Sequence, residues 1–178
     1  MAVSAAWIPL KAELAQALIE RSWRSHLDGA AGTPPWPWAD TWAAAELSVP
    51  SSGVRLLVLA GNSGRNLAFG PVFLDGSLAG RDWVVSGHRD THFRFLRDLQ
   101  PGDRIHLRRP GGGSWFEVTE REIVDSRERE LVIEPGVARL SLVTCYPFDS
   151  PGAGGPLRYV VTALPVPAGV SPRSASSG

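Results

Sequence analysis

The stretch "DRIHLRRPGGGSWFEVTEREIV", residues 103–124, carries the pattern that decides the fold. Ile105 and Leu107 alternate with polar residues, and Phe116 and Val118 do the same after the glycine-rich segment "PGGGS", residues 110–114. Alternation with a period of two is typical of a half-buried β-strand, and a Gly-rich turn between two such runs predicts a hairpin. The segment therefore predicts antiparallel β-structure.

Further apolar runs lie on both sides of this hairpin and end at turn residues. They are "VRLLVLAG" (54–61), "RDWVVSG" (81–87), "ARLSLVTCYP" (138–147) and "LRYVVTAL" (157–164). Between them only "FRFLRDL" (93–99) indicates a short helix. Several short strands at turn-spaced intervals predict a mostly β domain, either a barrel or a sandwich.

The N-terminal part of the chain has a different pattern. "IPLKAELAQALIERSWRSHLDG" (8–29) has leucines spaced four apart, with Pro9 suited to a first turn and Gly29 to a helix end, so it predicts a helix. Its mixed-sign polar face favours packing on the domain over a juxtamembrane position. The following "GTPPWPWADTW" (32–42) cannot form regular structure because of its prolines, and its tryptophans predict contact with the domain surface.

These patterns divide the chain into three parts. Residues 1–47 form a helix and a Pro/Trp-rich segment that pack on the domain, 48–165 form the β-domain, and the Pro/Ser/Gly-rich tail 166–178 is expected to be disordered. There is no run of eighteen apolar residues and no signal-peptide pattern. The 18 basic and 18 acidic side chains cancel, which argues against a general nucleic-acid binder.

The segment "SGHRDTHF", residues 86–93, has two histidines four residues apart. A kinase-type HRD loop is excluded, because the only lysine is Lys11 in the N-terminal helix and no DFG motif occurs. A zinc site is disfavoured, because Arg89 stands where a metalloprotease motif has glutamate and a third ligand would have to be Cys145 or an acid. His88 is left as a candidate acid or base.

Cys145 is the single cysteine, so the chain can form no internal disulfide and no multi-thiolate metal cluster. It ends an apolar strand immediately before "YP", which predicts a position at the rim of the sheet. A thiolate is a nucleophile, and a nearby histidine or arginine favours that anion. Arg158 opens the next strand, so an antiparallel pair would bring it close to Cys145 as an oxyanion donor. Taken singly, each of the three residues also has an ordinary structural explanation.

Together, "VVSGHRD", "LSLVTC" and "PLRYVV" resemble the motifs of sortases, which are cysteine transpeptidases built on an eight-stranded β-barrel. The longer stretches "PWPWADTW", "LAFGP", "GHRDTHFRFLRDLQPGD", "LVTCYPFD" and "GGPLRYVV" resemble the sortases of Gram-negative bacteria, and the resemblance runs from Trp7 to Ala163. Two departures are Ser141, where the family's Cys motif begins with threonine, and "FGPVFLDG", where a more polar Gly-His type stretch is expected.

The resemblance implies a sortase-type barrel with an N-terminal helix and short connecting helices. It implies catalysis by His88, Cys145 and Arg158, with Thr144 and Tyr146 contacting the substrate, and neither a metal nor a cofactor. The implied partners are a protein with a C-terminal LPxTG-like sorting signal and an amine acceptor. The implied location is the cell envelope, at the periplasmic face of the inner membrane, with a membrane anchor in the full-length protein.

Three alternatives stay open at this point. One is another envelope cysteine transpeptidase of the L,D-transpeptidase type, although no Ser-x-Gly-Cys-x-Arg signature surrounds Cys145. The second is a non-catalytic β-barrel module that binds peptides along "PPWPWADTW" (34–42). The third is the zinc hydrolase already disfavoured. The reactivity of the Cys145 thiol distinguishes an enzyme from a binding module.

Overall fold

The computed structural model describes residues 3–61, 63–134, 136–150 and 155–167. One helix, α1 (Val3–Leu27), precedes eight strands. The strands are β1 (Ala43–Val49), β2 (Val54–Leu59), β3 (Val72–Phe73), β4 (Asp82–Ser86), β5 (Arg104–Arg109), β6 (Gly112–Asp125), β7 (Arg139–Cys145) and β8 (Leu157–Pro165). They close into a barrel in the order β1-β2-β3-β4-β7-β8-β6-β5. The prediction of a mostly β, eight-stranded barrel is confirmed. Most of the tail predicted as disordered lies outside the described residues.

The hairpin predicted from residues 103–124 is strands β5 and β6. Its turn is tighter than "PGGGS", because Arg109 already pairs with Gly112 and only Pro110 and Gly111 connect the strands. Gly111 has φ 89°, a left-handed conformation that favours glycine. The His106 ring lies over Gly113 and contacts the Trp115 ring at 4.6 Å between centroids, so a side chain at 113 would collide with it.

Three elements differ from the sequence prediction. The barrel begins with β1 at Ala43, ahead of the expected boundary between residues 47 and 48, because three consecutive alanines give a weak strand signal. β3 has two residues, too few to show a period. The predicted helix at 93–99 is a single 3-10 turn, Arg94–Arg97.

Helix α1 packs on the outside of the barrel. It begins at Val3, so Pro9 lies inside the helix rather than in its first turn as predicted. Ile19 and Trp23 are fully buried, in a cluster that also contains Leu59 and Val72 of the barrel. In the Pro/Trp-rich segment Trp36 contacts Phe69 edge-on, whereas Trp38 is 81% exposed. No described helix is both long and apolar enough to span a bilayer.

The barrel interior is filled by one large apolar cluster from all the long strands. A buried ion pair closes one end of the β4–β7 contact, where Asp82 is 0% exposed and accepts two hydrogen bonds from Arg139 at 3.0 and 2.6 Å. Asp82 also accepts the backbone N–H of Glu134 at 2.8 Å. A buried carboxylate needs such partners, because burying it unpaired would cost several kcal/mol. The pair therefore fixes β7 against β4 at the end opposite Cys145.

Candidate active site

The register of three neighbouring strands brings the predicted site residues to one rim of the barrel. β4 runs parallel to β7, with Ser86 opposite Val143, so both strands end at the same edge. His88 follows Ser86 by two residues, and Cys145 follows Val143 by two residues. β8 runs antiparallel to β7 and places Arg158 directly opposite Cys145. The cysteine thus lies on the central strand, between the other two residues.

The loop that carries His88 turns around a buried aromatic ring. A Cβ atom on Gly87 would lie 2.8 Å from the ring of Phe93, closer than packed carbon atoms approach, so only glycine fits there. The backbone N–H of Phe93 donates to the carbonyl of His88 at 2.9 Å, which closes the loop. The His88 side chain is exposed at the rim, where a ligand can reach it.

Thr144 connects the two halves of the site through a buried hydrogen bond. The residue is 2% exposed, and its hydroxyl donates to the carbonyl of Gly87 at 2.7 Å. The backbone N–H of Gly87 in turn donates to the carbonyl of Val143 at 3.1 Å. The side chain of Thr144, predicted as a substrate contact, therefore points into the protein and fixes the residue before His88.

Cys145 is half-buried at the end of β7, and its cross-strand neighbour Arg158 is half-buried too. Directly opposite residues on antiparallel strands have Cβ atoms about 5 Å apart. Nη1 of Arg158 donates to the carbonyls of Gly155 at 2.6 Å and Leu157 at 2.9 Å. These are the hydrogen bonds of Arg158 with described residues, so Nε and Nη2 remain as donors for a ligand.

Tyr146, the second predicted substrate contact, belongs to a cluster of three aromatic rings beside the thiol. Its ring is stacked at 6.3 Å on Tyr159, and Phe148 contacts Tyr159 edge-on at 5.1 Å. Tyr146 is half-buried, so part of its surface faces solvent next to Cys145. The cluster forms an apolar wall on the side of the thiol where β7 leaves the barrel.

Arg89 is a residue that the sequence analysis considered only as an obstacle to metal binding. It is 7% exposed, whereas its neighbours His88 and Asp90 are exposed. Its guanidinium bonds to Asp90 and to carbonyls of the segment that follows Cys145. The sequence contains one signal that could have drawn attention to Arg89: it directly follows His88, the predicted catalytic histidine.

His92 has a different environment from His88. Burial lowers the pKa of His92 below its ordinary value, and the charge of His88 lowers it further. The Nδ1 atom of His92 lies 3.3 Å from the hydroxyl of Thr91, within its own loop. Among the described residues no group of three or more His, Cys, Asp or Glu side chains is arranged to hold a metal ion.

A thiol between an imidazole and a guanidinium has the groups that nucleophilic acyl transfer requires. The sortase domain model matches residues 47–166, which is most of the chain and includes all three side chains. The chain belongs to the sortase family. The resemblance inferred from the motifs around His88, Cys145 and Arg158 is confirmed at the level of the family.

Two curated sortases match part of the chain. Sortase D of Bacillus subtilis (strain 168) is 37% identical over 79 residues, 44% of this chain and 39% of that protein. Sortase A of Listeria monocytogenes is 30% identical over 105 residues, 56% of this chain and 47% of that protein. The chain thus spans less than half the length of these two sortases.

Solved sortase structures share the fold over a longer part of the chain. Sortase A from Corynebacterium diphtheriae superposes with a TM-score of 0.64 at 21% identity, covering 90% of this chain and 86% of that one. At this identity the likeness establishes the fold, namely the closed barrel with its N-terminal helix. These three sortases all come from Gram-positive bacteria.

Proposed function

We propose that this protein is a cysteine transpeptidase that cleaves a peptide sorting signal and transfers the acyl part to an amine. The observation that carries the proposal is the placement of Cys145 on the central strand of the rim, opposite Arg158 and beside the His88 loop. Family membership supports the same activity. The L,D-transpeptidase alternative is set aside, because the chain is a member of the sortase family.

Acylation begins at the thiol. The Cys145 thiolate attacks the scissile carbonyl carbon, and the carbonyl π-electrons move to oxygen to give a tetrahedral oxyanion. The N–H donors of Arg158 that make no hydrogen bond with a described residue stabilise that negative charge as it develops. The oxyanion then collapses, the C–N bond breaks, and protonated His88 donates a proton to the departing amine. The products of this step are a thioester on Cys145 and the released C-terminal fragment.

Deacylation reverses the proton transfer. An acceptor amine attacks the thioester carbonyl, and neutral His88 accepts its proton. The C–S bond breaks, the thiolate of Cys145 is regenerated, and a new amide bond forms. Water in place of the amine gives hydrolysis, a peptidase-type side reaction. Every step uses a side chain of this protein and requires neither a metal nor a cofactor.

The substrate and location follow from the resemblance rather than from the geometry. We infer an LPxTG-like C-terminal signal on a protein substrate, an amine acceptor, and attachment of the product to the cell envelope. Assignment to the Gram-negative sortases, at the periplasmic face of the inner membrane, is supported by the quoted motifs. It draws no support from the relatives named above, which are Gram-positive proteins.

The decisive test is the intact mass of the protein after incubation with an LPxTG-like peptide, with and without an added amine. A transpeptidase should gain the mass of the acyl fragment on Cys145 and lose it when the amine is added, as the ligated peptide forms. If a folded protein gives no adduct with a small library of signals, and its Cys145 resists alkylation, the non-catalytic binding module is the better description.

Arg158→Ala should lower kcat/KM by about 10²–10³ if the guanidinium stabilises the oxyanion, since removing one such donor typically has that effect. Arg158→Lys keeps the charge but loses the planar array of donors, so we expect it to recover only part of the activity. Steady-state kinetics with a fluorogenic signal peptide measures both variants. A loss below about tenfold in Arg158→Ala would leave Arg158 with a positioning role at most.

A further inference from the structure

Arg89 links the two loops that meet at the active-site rim. Its backbone follows His88 in the loop after β4, and its side chain reaches the loop after β7, which we call the post-cysteine loop (residues 146–150). Nη1 donates to the carbonyl of Pro147 at 2.6 Å, and Nη2 donates to the carbonyl of Ser150 at 3.0 Å. These two contacts span 58 and 61 residues of sequence.

The same guanidinium is held from its own loop by Asp90. Nε donates to one carboxylate oxygen of Asp90 at 2.8 Å, and Nη2 donates to the other at 3.0 Å. The forked pairing fixes the plane of the guanidinium. In this plane one N–H of Nη1 points at the carbonyl of Pro147, and the second N–H of Nη2 points at the carbonyl of Ser150. Asp90 is largely exposed while Arg89 is 7% exposed, so the arginine lies between the exposed carboxylate and the post-cysteine loop.

The post-cysteine loop, whose first residue follows Cys145 in the chain, lines an open cleft of about 580 Å³. The cleft is lined by Arg97, Asp98, Tyr146, Pro147, Phe148, Asp149 and Ser150. Five of these seven residues belong to the loop that Arg89 holds. The shape of the cleft therefore depends on contacts made by a side chain from the histidine loop.

The surroundings of Arg89 favour its charged form. The pKa of Arg89 is raised above its ordinary value, first by the hydrogen bond to Asp90, with further contributions from the charges of Asp90, Cys145 and Asp149. Arg89 therefore holds the loop as a cation, and its charge and its hydrogen bonds can be separated by substitution.

We propose that Arg89 is a positioning residue for acyl transfer, which clamps the post-cysteine loop to the His88 loop and so sets the peptide-binding wall of the cleft. The proposal rests on the proposed transpeptidase function and adds a determinant of substrate affinity to it. The role differs from that of Arg158, because Arg89 acts through the carbonyls of Pro147 and Ser150.

Two substitutions separate the charge of Arg89 from its hydrogen bonds. Arg89→Met removes the charge and every donor, whereas Arg89→Lys keeps the charge but cannot reach Asp90, Pro147 and Ser150 together with a single ammonium. Both variants should raise KM for a signal peptide by about tenfold or more. Alkylation of Cys145 by iodoacetamide should be at least about threefold faster in both variants, because release of the post-cysteine loop uncovers the neighbouring thiol.

A readout independent of turnover is native-state cleavage by chymotrypsin after Phe148. The ring of Phe148 packs on Tyr159, and release of the loop exposes the bond that follows it. Cleavage there should be about tenfold faster in both Arg89 variants. The matched control is Arg94→Met, which removes an exposed arginine of the neighbouring 3-10 turn and should leave cleavage, alkylation and KM unchanged.

The outcomes separate this proposal from the proposed function. If Arg89→Met has the same KM and the same rate of cleavage after Phe148 as the wild type, the proposal that Arg89 holds the post-cysteine loop is wrong. If the wild-type protein forms no thioester, the transpeptidase function fails, while cleavage and alkylation still decide whether Arg89 holds the loop. If Arg89→Met does not fold, Arg89→Lys decides: unchanged KM and cleavage in that variant overturn the proposal, and an increase in both supports it.

Discussion

Cys145→Ala is expected to abolish formation of the acyl-enzyme and to lower turnover by about 10⁴-fold or more, because the thiolate is the atom that forms the covalent bond. The substitution removes one sulfur from a half-buried position at the end of β7, so the barrel should remain folded. Intact mass spectrometry with the signal peptide, together with the thermal midpoint of unfolding, measures both expectations.

Cys145→Ser is the matched control for this substitution. It keeps a nucleophilic atom at the same place, but a hydroxyl ionises far less readily than a thiol, so activity should stay near that of the alanine variant. A Cys145→Ala protein that still ligates peptide to amine would remove the cysteine from the mechanism. A variant that no longer folds would show instead that the thiol is needed for packing.

His88→Ala should lower kcat by about 10²–10⁴, the usual contribution of a positioned acid or base. His92→Ala is the matched control, since it removes the same side chain four residues away. Burial, and to a lesser extent the charge of His88, lowers the pKa of His92 and so disfavours its charged form. We expect its replacement to change kcat by less than about threefold.

Added imidazole distinguishes a chemical role of His88 from a structural one. The side chain is exposed at the rim, so a free imidazole can enter the space left by His88→Ala and restore part of the rate. No rescue, combined with equal losses in His88→Ala and His92→Ala, would mean that the two histidines order the loop and that another group transfers the proton.

Much of the barrel could be predicted from sequence because its long strands are marked by local patterns. The β5–β6 hairpin and strands β2, β4, β7 and β8 each contain an apolar or alternating run that ends at a turn residue. The elements that were missed lack such a pattern: β1 begins with three alanines, and β3 is two residues long. The closure of the strands into one barrel depends on pairing between distant segments, which local patterns do not specify.

The three candidate catalytic side chains could be located because each lies at the end or start of a recognisable strand. Their predicted roles await the experiments above. Sequence could not show that the Thr144 side chain points inward, because that depends on the position of Gly87 across the β4–β7 pair. The contacts of Arg89 were invisible for the same reason, since its partners Pro147 and Ser150 lie about sixty residues away.

The parallel pairing of β4 with β7 also bears on when the thiol becomes reactive. The contact between Gly87 and Thr144 joins residues 57 positions apart, so it can form only after all of the intervening hairpin has been synthesised. Non-local strand pairing is slow to form compared with hairpins. Until β4 and β7 pair, Cys145 therefore lacks the His88 loop beside it, and the candidate site can assemble only after this non-local contact has formed.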